Sequence, residues 1–316
     1  PRVLILPGSL RPGQSHCTLQ PPQPRPSEGE VSSMRVTEFR DYLACPYRYY
    51  LRHRLGLAAV ADNSAELDAA AFGSLAHDVL ADFGESELAA STDAEEIGLL
   101  LDELLSRRVF QEYGKRPLPA VHVQIAQLRH RLASLARWQA DWAGQGWRIV
   151  HVEKDMAANG VVLTVDEREL KLRGRIDRID FNDATGAWAI LDYKTSESGK
   201  TPEQTHQKGR AWIDLQLPLY RHLASALKLE GPIQLGYIVL PKDVARIGAL
   251  IAGWSEEDLE SADGAAKEVV RKVWRGEFWP PKTPPPPFSE EFAAICQDGQ
   301  FGALAESLLE EGGDAE

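Results

Sequence analysis

Apolar residues recur at helical spacing from residue 36 to residue 143, and from residue 147 the spacing tightens to alternation. "VTEFRDYLACPYRYYLRHRL", residues 36–55, predicts one helix with Thr37 as its N-cap. "AAFGSLAHDVLADF" (70–83), residues 94–113 and the long stretch 120–143 predict three more. Strands are expected at "WRIVHVEKDM" (147–156), "GVVLTV" (160–165), "LKLRGRIDRIDFN" (170–182) and "AWAILDYKTS" (187–196). A helix from about Asp214 to Leu227, a strand "IQLGYIVLP" and a helix over about 255–275 complete the pattern. Helices, a strand meander, then a helix and a further strand predict a mixed α/β or α+β core. The meander's connections are too short for an all-parallel sheet.

Two proline-rich breaks divide the chain. Residues 7–30 read as a linker after a strand-like "RVLIL", and residues 279–290 ("WPPKTPPPPFSE") read as a polyproline-type segment before a short helix and an acidic tail. The expected organisation is an upstream strand and linker at 1–33, a core domain at 34–279 and a terminal segment at 280–316. Pro1 in place of Met suggests a fragment or a processed chain.

Within the core one strand raises a question of charge. Asp192 and Lys194 close an apolar run and, two apart on a strand, share a face, while Tyr193 points the other way. "NDATG", residues 182–186, is dense in turn formers. A hairpin about it pairs residues whose numbers add to about 369, which brings Asp177 opposite Asp192, about 5 Å away at Cβ. Opposed carboxylates destabilise a sheet unless something positive lies between them, and a hard divalent cation such as Mg²⁺ fills that role. Lys194 on the same face can steady a phosphate or orient a water that such a metal has acidified. The competing reading is a solvated salt network of Asp177, Asp192, Lys194 and Arg175.

The composition bears on this only in part. The chain is 43% hydrophobic, 26% charged and carries a formal charge of −12 with a pI near 5.2. That balance argues against a whole surface attracting nucleic acid, but screening over about 10 Å leaves room for a local basic channel. No apolar run approaches the roughly 20 residues a membrane helix needs, and "VLILPGSL" is too short for a signal peptide. The expectation is a soluble, intracellular protein. Cys17, Cys45 and Cys296 are far apart and odd in number, so neither a zinc site nor a disulfide framework is indicated. "SESGKT" (196–201) lacks the first glycine of a phosphate loop, since that position is Lys194. His122 and His130 show no ligand spacing and are expected on the surface.

"GRIDRID" and "ILDYKTS" resemble the two core motifs of the PD-(D/E)XK nucleases, in the branch of the RecB and AddB helicase–nuclease C-terminal domains. Ile176 stands where the superfamily name has proline, which is ordinary in that branch. The resemblance spans about residues 34–278 and implies a restriction-endonuclease-like fold with Asp177, Asp192 and Lys194 at the catalytic places.

Further motifs match. "FGSLAHDVL" resembles the branch's G-x-x-x-H helix and makes His77 a metal ligand; on a helical wheel it lies roughly 130° from the Phe72, Val79 and Phe83 stripe. "LQLPLYRHLA" resembles the Q-x-x-x-Y helix, adding Gln216 and Tyr220, which share a helix face. Glu153 occupies a place where relatives supply an acidic ligand, and the carbonyl of Tyr193 joins the same shell. "FRDYLACPYRYYLRHRLGL" resembles the start of the nuclease domain. There Arg48, Arg52, Arg54 and Tyr49, with Tyr47 and Tyr50, interleave guanidinium groups and rings as a DNA-binding surface would. Each also has a plainer reading: a helix-flank histidine, an amphipathic packing helix, solvated arginines.

Many relatives hold an iron–sulfur cluster with one cysteine here and three near the C-terminus. Only Cys45 and Cys296 are present at those places, four thiolates are required, and so no cluster is expected and Cys45 is read as a core residue. The resemblance thus implies a Mg²⁺- or Mn²⁺-dependent DNA nuclease acting on single-stranded or duplex ends, with a helicase region or subunit as partner, in the bacterial cytoplasm and without a membrane role. A non-catalytic DNA-binding scaffold and an enzyme acting on RNA or nucleotides are the alternatives.

Overall fold

In the computed structural model, residues 21–24, 31–58, 66–156, 160–287 and 289–298 are described. The upstream strand, Cys17, most of the linker and the acidic tail lie outside them. A five-stranded mixed sheet forms the centre, with strand order β10-β9-β6-β5-β2. Its members are β2 (Trp147–Asp155), β5 (Arg175–Asn182), β6 (Trp188–Lys194), β9 (Ile233–Val239) and β10 (Gly248–Ile251). β2, β5 and β6 run antiparallel, and β6 and β9 run parallel, joined by a crossover through α6 (Pro202–His206), the small hairpin of β7 (Gln207–Lys208) and β8 (Ala211–Trp212), and α7 (Gln216–Ser225).

Alternation along β6 assigns its two faces. Ala189, Leu191 and Tyr193 pack on α3 (Ala69–Gly84), α4 (Ala94–Tyr113) and α5 (Pro119–Gly144) through Leu75, Val79, Leu101, Leu128 and Leu132. Asp68 and Asp93 cap α3 and α4, and Pro119 starts α5 where its missing N–H costs nothing. Ile190 points the other way, into a second core with Phe39, Leu172, Leu219, Tyr237 and Val270. That side is covered by α1 (Glu38–Ala44), α7, α8 (Glu256–Trp274) and a three-stranded sheet of β1 (Ser33–Arg35), β4 (Arg168–Arg173) and β3 (Val162–Val165). Phe292 and Cys296, beside and within α9 (Ala293–Cys296), belong to the same core. This is the mixed α/β architecture, a sheet flanked by helices, that the sequence predicts. No helix among the described residues is long and apolar enough to cross a membrane.

Two expected elements are split. The helix read over 36–55 breaks at Cys45, which is extended (φ −159°, ψ 109°) because Pro46 disfavours the helical region for the residue before it. The chain restarts as α2 (Pro46–Tyr49) and continues as a π-helical turn, Tyr50–Arg54. Thr37 stands at the N-cap without capping; instead Glu38 Oε1 accepts the Arg35 N–H at 3.1 Å.

The strand read over 170–182 divides at Gly174, with β4 in one sheet and β5 in the other. A Cβ at Gly174 would stand 2.7 Å from Leu223 Cδ1 and 3.0 Å from Val36 Cγ2. The two sheets therefore meet at a point where an added Cβ would have to displace the Leu223 side chain. The cleft described below opens beside it.

Candidate active site

The site grows from the β5–β6 hairpin. Its ladder pairs Arg178 with Leu191, Ile179 with Ile190, Asp180 with Ala189 and Phe181 with Trp188, the register that the turn at 182–186 predicts. Asn182 Oδ1 closes that turn by accepting the Ala184 and Thr185 N–H groups, both at 3.0 Å. Asp177 and Asp192 lie one step beyond the last ladder pair, both buried and both lining a cleft of about 560 Å³. Asp177 Oδ2 accepts the Tyr193 N–H at 2.9 Å.

Glu153 reaches the same place through an irregularity in β2. The β2–β5 register shifts by one between Ile149 and His151, after which Val152 pairs with Arg178 and Lys154 with Ile176. Glu153 thus stands opposite Asp177; without the shift, Val152 would. Bulges re-aim side chains in this way. Glu153 itself has φ +46°, a left-handed conformation costing about 1–3 kcal/mol in a non-glycine residue.

From α3, His77 Nδ1 lies 3.4 Å from Asp177 Oδ2 and 3.9 Å from Glu153 Oε1, while Nε2 lies 3.2 Å from the Tyr193 carbonyl oxygen. One ligand atom each from His77, Glu153 and Asp177 falls within 4.8 Å of the others. Arg175 Nε stands 2.6 Å from Glu153 Oε2.

Asp192 is held separately. Its Oδ1 accepts from Gln216 Nε2 (2.9 Å) and the Tyr220 hydroxyl (3.2 Å), and Gln216 Nε2 also donates to that hydroxyl at 2.7 Å. Lys194 Nζ is 2.6 Å from Asp192 Oδ2, yet this oxygen has no hydrogen bond of good geometry. α7 begins at Gln216 rather than Asp214 because the Asp214 carboxylate takes the Gln216 N–H at 2.8 Å. Pro218 then falls in the first turn, where a missing N–H is harmless.

Burial, and next the neighbouring Asp192, push the Asp177 carboxyl up to about 7 against the opposing effects of His77 and the Tyr193 N–H. Burial disfavours the His77 imidazolium, but Glu153, Asp177 and Asp192 outweigh it and raise the group above its usual range. Burial likewise works against the Lys194 ammonium, and Asp192 more than restores it. Burial, Asp192 and Asp177 hold Tyr220 well above its usual value, so it remains a hydroxyl donor.

Buried carboxylates, an imidazole and the Tyr193 carbonyl at such close range fit a hard divalent cation, which takes oxygen ligands and relieves the repulsion. The sign of the pH effect is testable. Asp177 binds its proton more tightly folded than unfolded, so its contribution to stability is complete below about pH 4 and lost as pH rises through about 7. His77 acts in the same direction. Metal competes with these protons. The Tm increase caused by Mg²⁺ or Mn²⁺ over EDTA, measured by calorimetry, is expected to grow from pH 5 to pH 8; an increment independent of pH would refute the cluster as the metal site.

The arginine- and tyrosine-rich segment is placed differently from the expectation. Arg48 and Tyr49 are 7% and 1% exposed, and Tyr47 and Tyr50 are buried as well. Tyr49 and Tyr50 stack on Phe278, and Tyr47 meets Trp279 edge-on. Arg48 reaches both Asp298 carboxylate oxygens at 2.5 Å and Cys45 Sγ at 3.7 Å. The expected base-stacking and phosphate contacts of Arg48 and Tyr49 are thus replaced by core packing, because aromatic partners arrive from a segment more than 200 residues away. Arg52 is exposed and paired with Asp41 and Glu291; Arg54 is half-buried. Cys45 and Cys296 are buried free thiols, while His122 and His130 are exposed on α5. Arg35 and Arg173 also line the cleft, and the sequence marks them by no more than a basic residue beside each strand end.

A comparison with curated proteins gives no match. Among solved structures, the crystal structure of SSO0001 is 15% identical over 72% of this chain and 84% of that one, with a TM-score of 0.26, too low to inform the fold. A family model described as the PD-(D/E)XK nuclease superfamily matches residues 33–297, a span containing the hairpin, the α3 histidine and the α7 pair. The chain belongs to the PD-(D/E)XK nuclease superfamily.

Proposed function

We propose that this chain is a divalent-metal-dependent deoxyribonuclease of the RecB/AddB type. Its core at residues 34–279 trims DNA ends exonucleolytically within a bacterial helicase–nuclease that serves recombination and repair. The observation that carries the reading is the convergence of His77, Asp177, Asp192, Lys194, Gln216 and Tyr220 on one cleft, with Glu153 turned toward it by the bulge in β2.

In this reading Asp177, Asp192, His77, Glu153 and the Tyr193 carbonyl hold Mg²⁺ or Mn²⁺. The cation supplies charge on the phosphoryl oxygen and an acidified water. Gln216 and Tyr220 fix the Asp192 carboxylate by two hydrogen bonds, so that only its other oxygen remains to be shared. Lys194, kept protonated by Asp192, donates to the attacking water and offsets charge that develops on the phosphate.

The test is incubation of the purified chain with linear single-stranded DNA, duplex DNA and RNA, each with Mg²⁺, Mn²⁺ or EDTA. Cleavage of DNA in metal and none in EDTA is the expected outcome, with Asp177→Asn inactive. DNA binding without cleavage under every condition would replace the enzyme with a scaffold, and preference for RNA would overturn the substrate.

A further inference from the structure

Two arginines in the cleft take no part in the reading above. Arg35 ends β1 and Arg173 ends β4, and these strands pair in parallel with Arg35 directly opposite Arg173. Both line the cleft that holds Asp177, Asp192 and Lys194. Directly opposed residues project from the same side of a sheet, about 5 Å apart at Cβ, and like charges so placed destabilise it.

Neighbouring arginines resolve their charge. Arg175 has Glu153 at 2.6 Å, Arg178 has Asp180, Arg271 has Asp166, and Arg168 lies 4.0 Å over the Trp274 ring. Among the described residues, neither the Arg35 nor the Arg173 guanidinium has a carboxylate partner, and the buried Arg173 Nε has no hydrogen-bond acceptor. Arg35 is exposed and Arg173 half-buried, so the two opposed guanidinium groups face the cleft with no carboxylate between them and stand open to an anion from outside. The guanidinium fork matches the oxygens of a phosphate, which can accept from both residues at once.

We propose that Arg35 and Arg173 form a phosphate clamp that grips the backbone of the substrate strand beside the metal centre. This rests on the nuclease reading for the identity of the strand, and it divides the cleft by charge. The carboxylates of β5 and β6 face the scissile group, and the ends of β1 and β4 hold a flanking phosphodiester. Gly174, between them, keeps the boundary clear of side chain. Because the clamp binds phosphate rather than base, it carries no sequence preference.

The test separates binding from chemistry. Fluorescence anisotropy with a labelled single-stranded oligonucleotide in EDTA, over a salt series, is measured for wild type, Arg35→Gln, Arg173→Gln and Arg173→Lys. Each lost phosphate contact is expected to reduce the slope of log affinity against log salt by about 0.7. Both glutamine variants should show that reduction, with affinity several-fold weaker at low salt, while Arg173→Lys keeps the slope. Slopes equal to wild type in glutamine variants that keep the wild-type Tm would overturn the clamp, as would a fall in slope for the lysine variant equal to that for glutamine. If the slopes fall but no metal cleaves DNA, the clamp stands and the nuclease reading fails; if DNA is cleaved and the slopes hold, the reverse is true.

Discussion

Replacing Lys194 with alanine is expected to lower the rate of phosphodiester hydrolysis by about 10²–10³-fold, the range found when a preorganised charge at a developing anion is removed. In the proposed mechanism the effect belongs in kcat, with KM for the nucleic acid changed little, because there the ammonium acts on charge that grows in the transition state. The geometry explains why no neighbour substitutes for it. Nζ is fixed 2.6 Å from Asp192 Oδ2 and 5.0 Å over the Tyr237 ring, and Asp192 holds it protonated despite burial. Removing it also leaves Asp192 Oδ2 buried without a counter-charge, so the variant should lose stability in EDTA and recover much of it in Mg²⁺. Steady-state kinetics together with Tm measured with and without metal checks both halves. Wild-type kcat in the alanine variant would remove Lys194 from the mechanism.

The readable part of this site is the part that depends on local order. The turn at Asn182–Gly186 fixes the hairpin register by itself, so the alternation of Asp177, Asp192 and Lys194 onto one face follows from counting. The α7 pair is four residues apart and needs only a helix to share a face. Three features depend on what arrives from elsewhere. The one-residue shift in β2 that turns Glu153, rather than Val152, toward Asp177 leaves no mark in the alternation, which reads equally well in either register. Gly174 separates two sheets because Val36 and Leu223 crowd it, and neither is near it in the chain. The rings at 47–50 pattern like an exposed binding surface until Phe278 and Trp279 close over them. The same limit hides Arg35 and Arg173, whose opposition exists only once β1 lies beside β4.

Asp180→Ala is expected to destabilise the fold by about 3–5 kcal/mol, among the largest effects any single substitution here can have. Arg178 and Asp180 lie on the helix-covered face of β5, 1% and 0% exposed, opposite in facing to Asp177. Their contacts are nearly saturated. Arg178 Nε and one terminal nitrogen donate to the two Asp180 oxygens at 2.7 and 2.6 Å, the other terminal nitrogen donates to Gln139 Oε1 at 2.8 Å, and Trp142 Nε1 donates to Asp180 at 2.8 Å. Deleting the carboxylate leaves a buried guanidinium with no counter-charge and only Gln139 Oε1 and the Tyr193 hydroxyl as neutral acceptors, which costs far more than the pair itself contributes. A double variant, Arg178→Met with Asp180→Leu, removes both charges and is therefore expected to recover most of the loss. Chemical denaturation distinguishes the cases, the single variant showing a lower midpoint at unchanged slope. A midpoint shift equivalent to less than about 1 kcal/mol for Asp180→Ala would mean that water reaches the pair and that the network is not dry. The double variant also tests what the pair does for the site. Arg178 follows Asp177 directly and approaches the Tyr193 hydroxyl at 3.4 Å, so the network ties β5 to β6 behind the cleft-facing side of the hairpin. If stability returns in the double variant but cleavage stays impaired, the buried charges serve alignment of the carboxylates; if both return, packing alone aligns them.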